Sequence, residues 1–132
     1  MGLLDKLFKS QRDIAKEEIK EVNWHPLTRL EQLDQINKES REQPVAIFKH
    51  STSCGISNLV LRRFESAIIN KGEGTTKLYF LDLLSNRDVS NAVAQKWSIP
   101  HESPQLLIIR SEKVVDHASH ASISASSVRS ST

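Results

Sequence analysis

Short apolar segments that alternate with helical patterns constrain this chain more than any other feature of its sequence. Residues 45–48, 78–83 and 105–109 are apolar runs of strand length. Between them, residues 54–70 and 87–97 repeat apolar side chains at helical spacing. The first of these helices carries Ile56, Val60, Phe64, Ala67 and Ile68 on one side, with Arg62, Arg63 and Glu65 on the other. The segment Lys71-Gly72-Glu73-Gly74 ends it, because glycine tolerates the left-handed backbone of a helix stop. The second helix turns Val89, Ala92, Val93 and Trp97 inward, and Asn86 is placed to cap it. Strands separated by helices call for parallel crossovers.

The flanking segments complete the pattern. Residues 22–27, with Trp24 and Pro26, read as a short edge strand. A helix over 28–39 follows, with Thr28 as N-cap and Glu31 completing a capping box. Residues 105–109 and 114–117 are strands joined by Ser111-Glu112-Lys113, which reads as a hairpin. The predicted order is β-α-β-α-β-α-β-β-α. It makes an α/β fold with a mixed central sheet and helices on both faces, a three-layer α/β/α sandwich.

Length allows one domain, assigned to residues 21–128 of 132. Residues 1–20 are expected to form an extra N-terminal amphipathic helix or arm, with Leu3, Leu4, Leu7 and Phe8 on one side. The tail from Ser119 holds seven serines in 14 residues. It is expected to begin as a short helix over 123–128 and to leave 129–132 disordered.

The net charge of +2, from 18 basic and 16 acidic residues, is too small for a nucleic-acid surface. No apolar run reaches the ~20 residues of a membrane span, and the first ten residues lack a signal-peptide core. The chain contains one cysteine, so a disulfide framework is excluded and a reducing cytoplasm is expected. A monomer is expected.

That cysteine, Cys54, follows an apolar strand and opens a helix. A thiolate is the nucleophile in disulfide exchange, and a free thiol with a pKa of roughly 8.5 is mostly protonated at neutral pH. Unpaired N–H groups and partial positive charge at a helix start favour S⁻. Lys49 and His50 just upstream add positive potential. In Ser53-Cys54-Gly55-Ile56-Ser57 the spacing is that of C-x-x-C, with serine in the second position. A serine cannot expel a mixed disulfide, so a single-thiol cycle is predicted, and Ser57 is placed to donate a hydrogen bond to the thiolate. Ser103-Pro104 stands directly before the 105–109 strand. A cis peptide there would turn the Ser103 backbone toward an extended ligand.

Other constellations carry less. His117 and His120 straddle a strand end without a third ligand, so no metal site is expected. Asp82 ends a strand and reads as a solvated carboxylate, with an acid/base role near the thiol as the sharper option. Gly72-Glu73-Gly74 lacks the Lys-Ser/Thr and the following helix of a phosphate loop.

With these residues in place, the chain resembles the thioredoxin superfamily, and within it the monothiol bacilliredoxin (YtxJ-like) branch. The resemblance lies in Phe48-Lys49-His50-Ser51-Thr52-Ser53-Cys54-Gly55-Ile56-Ser57, in Glu102-Ser103-Pro104-Gln105, and in residues 113–120, and it spans about 24–123. It implies a thioredoxin-like fold and a bacterial cytoplasmic thiol-disulfide oxidoreductase. That enzyme would remove bacillithiol from S-thiolated proteins through Cys54, with bacillithiol or another low-molecular-weight thiol as co-substrate and no tightly bound cofactor. It implies a cis-proline role for Pro104, with Ser53, Gly55, Ser57 and Ser103 supporting the site. Gly55 departs from the proline common in that family. It makes the string similar to the C-G-F-S motif of monothiol glutaredoxins, which carry a [2Fe–2S] cluster, but their glycine pair after the hairpin has no counterpart here. A non-catalytic peptide-binding module using the groove between Cys54 and Pro104 is the third reading.

Overall fold

The computed structural model describes residues 22–72 and 74–130. The expected N-terminal helix over 1–20 lies outside the described residues. The elements run β1 Trp24–Pro26, α1 Glu31–Ser40, β2 Val45–His50, α2 Gly55–Lys71, β3 Lys77–Asp82, α3 Arg87–Trp97, β4 Gln105–Arg110, β5 Lys113–Ser119, a 3-10 turn His120–Ser122, and α4 Ser126–Ser130. The strands form one sheet in the order β1-β3-β2-β4-β5. β1 and β2 run parallel to β3, whereas β4 is antiparallel to both β2 and β5. The mixed sheet predicted from the element order is therefore present.

Strand alternation divides the core into two halves. Val45 and Ile47 of β2 join Leu107 and Ile109 of β4 under Leu33 and Ile36 of α1 and Val89, Val93 and Trp97 of α3. Ala46 and Phe48 join Leu106 and Ile108 on the other face, under Val60, Phe64 and Ile68 of α2. Trp24 seals that second half at the sheet edge. Its ring stands 5.8 Å from Phe64 and 5.9 Å from Phe48, and its Nε1 donates to Glu65 Oε2 at 2.8 Å. The serine-rich tail also belongs to this half: Ala125 and Val128 are buried in it, and Thr76 Oγ1 donates to the Val128 carbonyl.

Several local expectations change. Thr28 and Glu31 do not form the capping box. Gln32 does that work instead, its Oε1 accepting from the N–H groups of Thr28 (2.8 Å) and Arg29 (2.9 Å) while its Nε2 donates to the Pro26 carbonyl. A carboxamide offers both acceptor and donor, so one side chain satisfies three backbone groups. Asn86 takes the N-cap position of α3, but its side chain donates to the Asp82 carbonyl. The β4–β5 turn has two residues, since Lys113 already pairs with Arg110. Ser111 (φ 52°) and Glu112 (φ 66°) both adopt the left-handed conformation that such a turn requires. They are held there by N–H bonds to Ser40, carbonyl and hydroxyl respectively, and by a 2.9 Å ion pair between Glu112 and Arg41.

Candidate active site

Parallel pairing of β2 with β3 and antiparallel pairing of β2 with β4 bring three junctions to one end of the sheet. They are the exit of β2 into α2, the exit of β3 into α3, and the entry into β4. Cys54 sits at the first junction, as the N-cap of α2 with an extended backbone (φ −104°, ψ 120°). Its carbonyl accepts the Asn58 N–H at 3.1 Å, the first bond of the helix. The thiol is free and half-buried. The first turn of α2 contains no acidic residue, so nothing there opposes an anion at the positive end of the helix.

The loop that presents the cysteine is bonded on both sides. Cys54 N–H donates to the Ser51 carbonyl at 3.1 Å. Asn58 Nδ2 donates to the carbonyls of Cys54 (3.1 Å) and Thr52 (3.4 Å). Sequence reasoning passed over Asn58, although its place four residues after Cys54 puts it over the same helix face. Ser51 and Ser53 hydroxyls meet at 3.3 Å, and Ser53 is exposed.

Ser57 is used in the opposite direction from the one expected. It is fully buried, accepts the Ser51 N–H at 3.1 Å, and meets His50 Nδ1 at 2.7 Å. These bonds run toward β2 and the loop and tie the helix to them. Burial pushes the His50 imidazole below its usual 6.5, so the ring is neutral at pH 7. The Ser57 oxygen accepts from the Ser51 N–H, and the ring's tautomer sets which partner donates in the bond to His50.

Gly55 occupies the first helical position. A Cβ built there meets nothing within 4 Å. The extended backbone at Cys54 is the one required before proline, and the first position of a helix tolerates the missing N–H. Gly55→Pro is therefore expected to raise stability by about 0.4–1 kcal/mol through the unfolded chain. A urea titration checks it, and a lower midpoint would show that the first turn needs the Gly55 N–H.

At the third junction the Ser103–Pro104 peptide is cis. The Pro104 carbonyl accepts the His120 N–H at 3.0 Å. Among the described residues neither the N–H nor the C=O of Ser103 has a partner, and its hydroxyl is buried without one. His117 and His120 are exposed, and no group of three metal-ligating side chains exists among the described residues. Asp82 is committed to its turn, its Oδ1 accepting from Leu84 N–H and its Oδ2 from the Ser85 hydroxyl, both at 3.2 Å.

Lys49 and His50 point to opposite faces of β2, which the sequence left open. Lys49 is completely buried, with Nζ 3.2 Å from the Ser90 carbonyl and 3.2 Å from His101 Nδ1. Burial pushes its pKa down from 10.5 to about 8. Between those values the unfolded chain keeps a proton that the folded protein has released, so this lysine makes stability rise with pH across that window. The rise is expected to disappear in Lys49→Met. Denaturant midpoints of both proteins at pH 8 and pH 10 check it, and an equal pH response would remove Lys49 as the cause.

The model of the family described as monothiol bacilliredoxin BrxC matches residues 25–128, which include every junction described above. The chain belongs to this family. Bacilliredoxin membership agrees with the solved structures that resemble it. One, described as an oxidoreductase with a thioredoxin fold, shares 27% identity at a TM-score of 0.68, covering 80% of this chain and 90% of that one. Thioredoxin from Trypanosoma brucei brucei aligns at a TM-score of 0.64 with 18% identity, over 86% of this chain and 90% of that one. Thioredoxin from Malassezia sympodialis aligns at 0.63 with 16% identity, over 84% and 88%. The fold is that of thioredoxin, and the family supports a thiol redox role. No helix among the described residues is long and apolar enough to cross a membrane.

Proposed function

We propose that this protein is a single-thiol oxidoreductase of the bacterial cytoplasm that removes bacillithiol from protein mixed disulfides. The observation that carries the reading is the pairing of Cys54 with Ser57. The sole cysteine stands half-exposed at a helix start, and the position of a resolving thiol holds a buried serine engaged with His50.

In the first step the Cys54 thiolate attacks the bacillithiol sulfur of the mixed disulfide. The S–S bond breaks, the protein substrate leaves as thiolate and takes a proton from water, and bacillithiol remains on Cys54. In the second step the thiolate of another bacillithiol attacks the bacillithiol sulfur of that adduct. Cys54 is released as thiolate and bacillithiol disulfide departs. The two electrons that reduce the substrate come from the two bacillithiol molecules. The free backbone groups of Ser103 beside cis-Pro104 suit an extended stretch of the substrate. Ile56 and Leu59, 60% and 54% exposed at the start of α2, offer its side chains apolar contact. The protein is taken to act as a monomer.

Intact mass after incubation with bacillithiol disulfide tests the reading. One bacillithiol adduct per chain, reversed by added bacillithiol, is expected. Unmodified protein after prolonged incubation would overturn it. A brown dimer after anaerobic reconstitution with iron, sulfide and a small thiol would favour cluster carriage instead.

A further inference from the structure

The buried Lys49 ammonium has no carboxylate partner. Among the described residues it makes no ion pair, and its two contacts are the Ser90 carbonyl and His101 Nδ1. Removing a cation from water without a counter-ion is costly, and this one is still protonated at neutral pH. Both of the residues it contacts line a crevice together with Leu83, Arg87 and Asn91. Ser90 Oγ stands 3.3 Å from His101 Nδ1, so floor and rim are one bonded unit. Arg87 is exposed at the crevice mouth and has no hydrogen bond or ion pair among the described residues. The positive charges of Lys49 and Arg87 both act on His101, and burial holds that ring below its usual 6.5.

The nearby acids are hydrogen-bonded elsewhere, although the charge of Glu102 also acts on His101. Glu102 accepts the Ser119 hydroxyl, and Asp82 is bonded within its own turn. Asp88 lies exposed on α3 and does not line the crevice. The crevice therefore brings together two cations without an ion-pair partner among the described residues, an amide (Asn91) and an imidazole. It also stands at the sheet end that carries the thiol. Arg87 opens α3 at the exit of β3, and His101 lies two residues before the Ser103–Pro104 bond.

We propose that this crevice anchors a carboxylate of the low-molecular-weight thiol that exchanges on Cys54. The inference rests on the small-thiol reading above and adds the chemical class that the site selects. Arg87 grips the carboxylate through its planar fork, Asn91 donates to it, and Lys49 supplies charge from below. Bacillithiol carries its two carboxylates on a malyl group at the end remote from the sulfur, so sulfur and anion occupy separate junctions of the same sheet end.

Two arms test the proposal. In Cys54→Ser, which has no thiol, S-methyl bacillithiol is titrated by NMR alongside its analogue lacking the malyl group. Shifts centred on Arg87, Asn91 and His101 are expected, with about tenfold weaker binding for the analogue and for Cys54→Ser/Arg87→Ala. Shifts confined to the Ser103–Pro104 groove, or equal affinity for both ligands, would overturn it. In the second arm the rate of adduct formation on the wild-type protein is compared for bacillithiol disulfide and uncharged bis(2-hydroxyethyl) disulfide. The ratio of the two rates is expected to fall about tenfold in Arg87→Ala, and to fall in the wild type as salt is raised. A ratio unmoved by either change would overturn the anion site while leaving Cys54 chemistry intact. Failure of both disulfides to modify Cys54 would overturn the redox reading, and the binding arm would still decide the anion site.

Discussion

Cys54→Ala is expected to leave only the background reaction. Release of bacillithiol from a thiolated protein should slow by more than about 100-fold at catalytic protein concentrations, to the rate at which free bacillithiol attacks unaided. Nothing else in the chain can replace the sulfur, because it is the sole cysteine. The substitution should leave the fold intact, since Cys54 is half-exposed and its backbone bonds to Ser51 and Asn58 do not involve the side chain. Mass spectrometry of the substrate over time measures the rate, and circular dichroism confirms the fold. A variant that retained more than a tenth of the wild-type rate would place the chemistry elsewhere.

The second large effect is expected at Ser57. Ser57→Ala leaves the Ser51 N–H and His50 Nδ1 without their partner in a fully buried place. A buried polar group stripped of its partner costs about 1–3 kcal/mol. In a domain of this size that lowers Tm by roughly 5–15 °C. The loss relative to the wild type should shrink on acidification. His50 is held below 6.5 in the folded protein, so below that pH the unfolded chain binds the extra proton and stability falls. Ser57→Ala leaves room for water beside the ring and so relieves the desolvation that opposes His50 protonation, and its Tm should depend less steeply on pH between 6.5 and 5. Scanning calorimetry of both proteins across that range checks both parts. A wild-type Tm would show that the buried bond contributes nothing. A steeper slope would show that His50 is not the group that titrates.

Ser57 therefore has two roles that arise at different levels. In the sequence it marks the absence of a second thiol and so determines a single-thiol cycle. In the folded protein its hydroxyl clamps α2 to the loop after β2. The spacing alone suggested a bond to the sulfur, because residues three apart share a helix face. Which side of that face meets bonding partners depends on where β2 lies, and this is a long-range matter. The same reason separates Lys49 from His50. Their neighbouring positions made them look like one cationic feature, and strand alternation then sent them into opposite halves of the core. His101 carried no periodic or motif signal, and it acquires meaning only through its contact with a lysine 52 residues earlier.

The sequence by itself determined the element order, the mixed sheet, the two-faced core, the strand–Cys54–helix junction and the proline at the entry to β4. These follow from local periodicity, turn residues and the spacing of one thiol, all of which act over a few residues. Only the tertiary structure decided which end of the sheet gathers Cys54, Ser103–Pro104, Arg87 and His101. It alone also decided that Gln32 organises the start of α1, and that the serine-rich tail packs Ala125 and Val128 into the core. Those outcomes depend on parallel and antiparallel pairing between segments far apart in the chain, where burial and charge are set by neighbours that the local sequence does not contain.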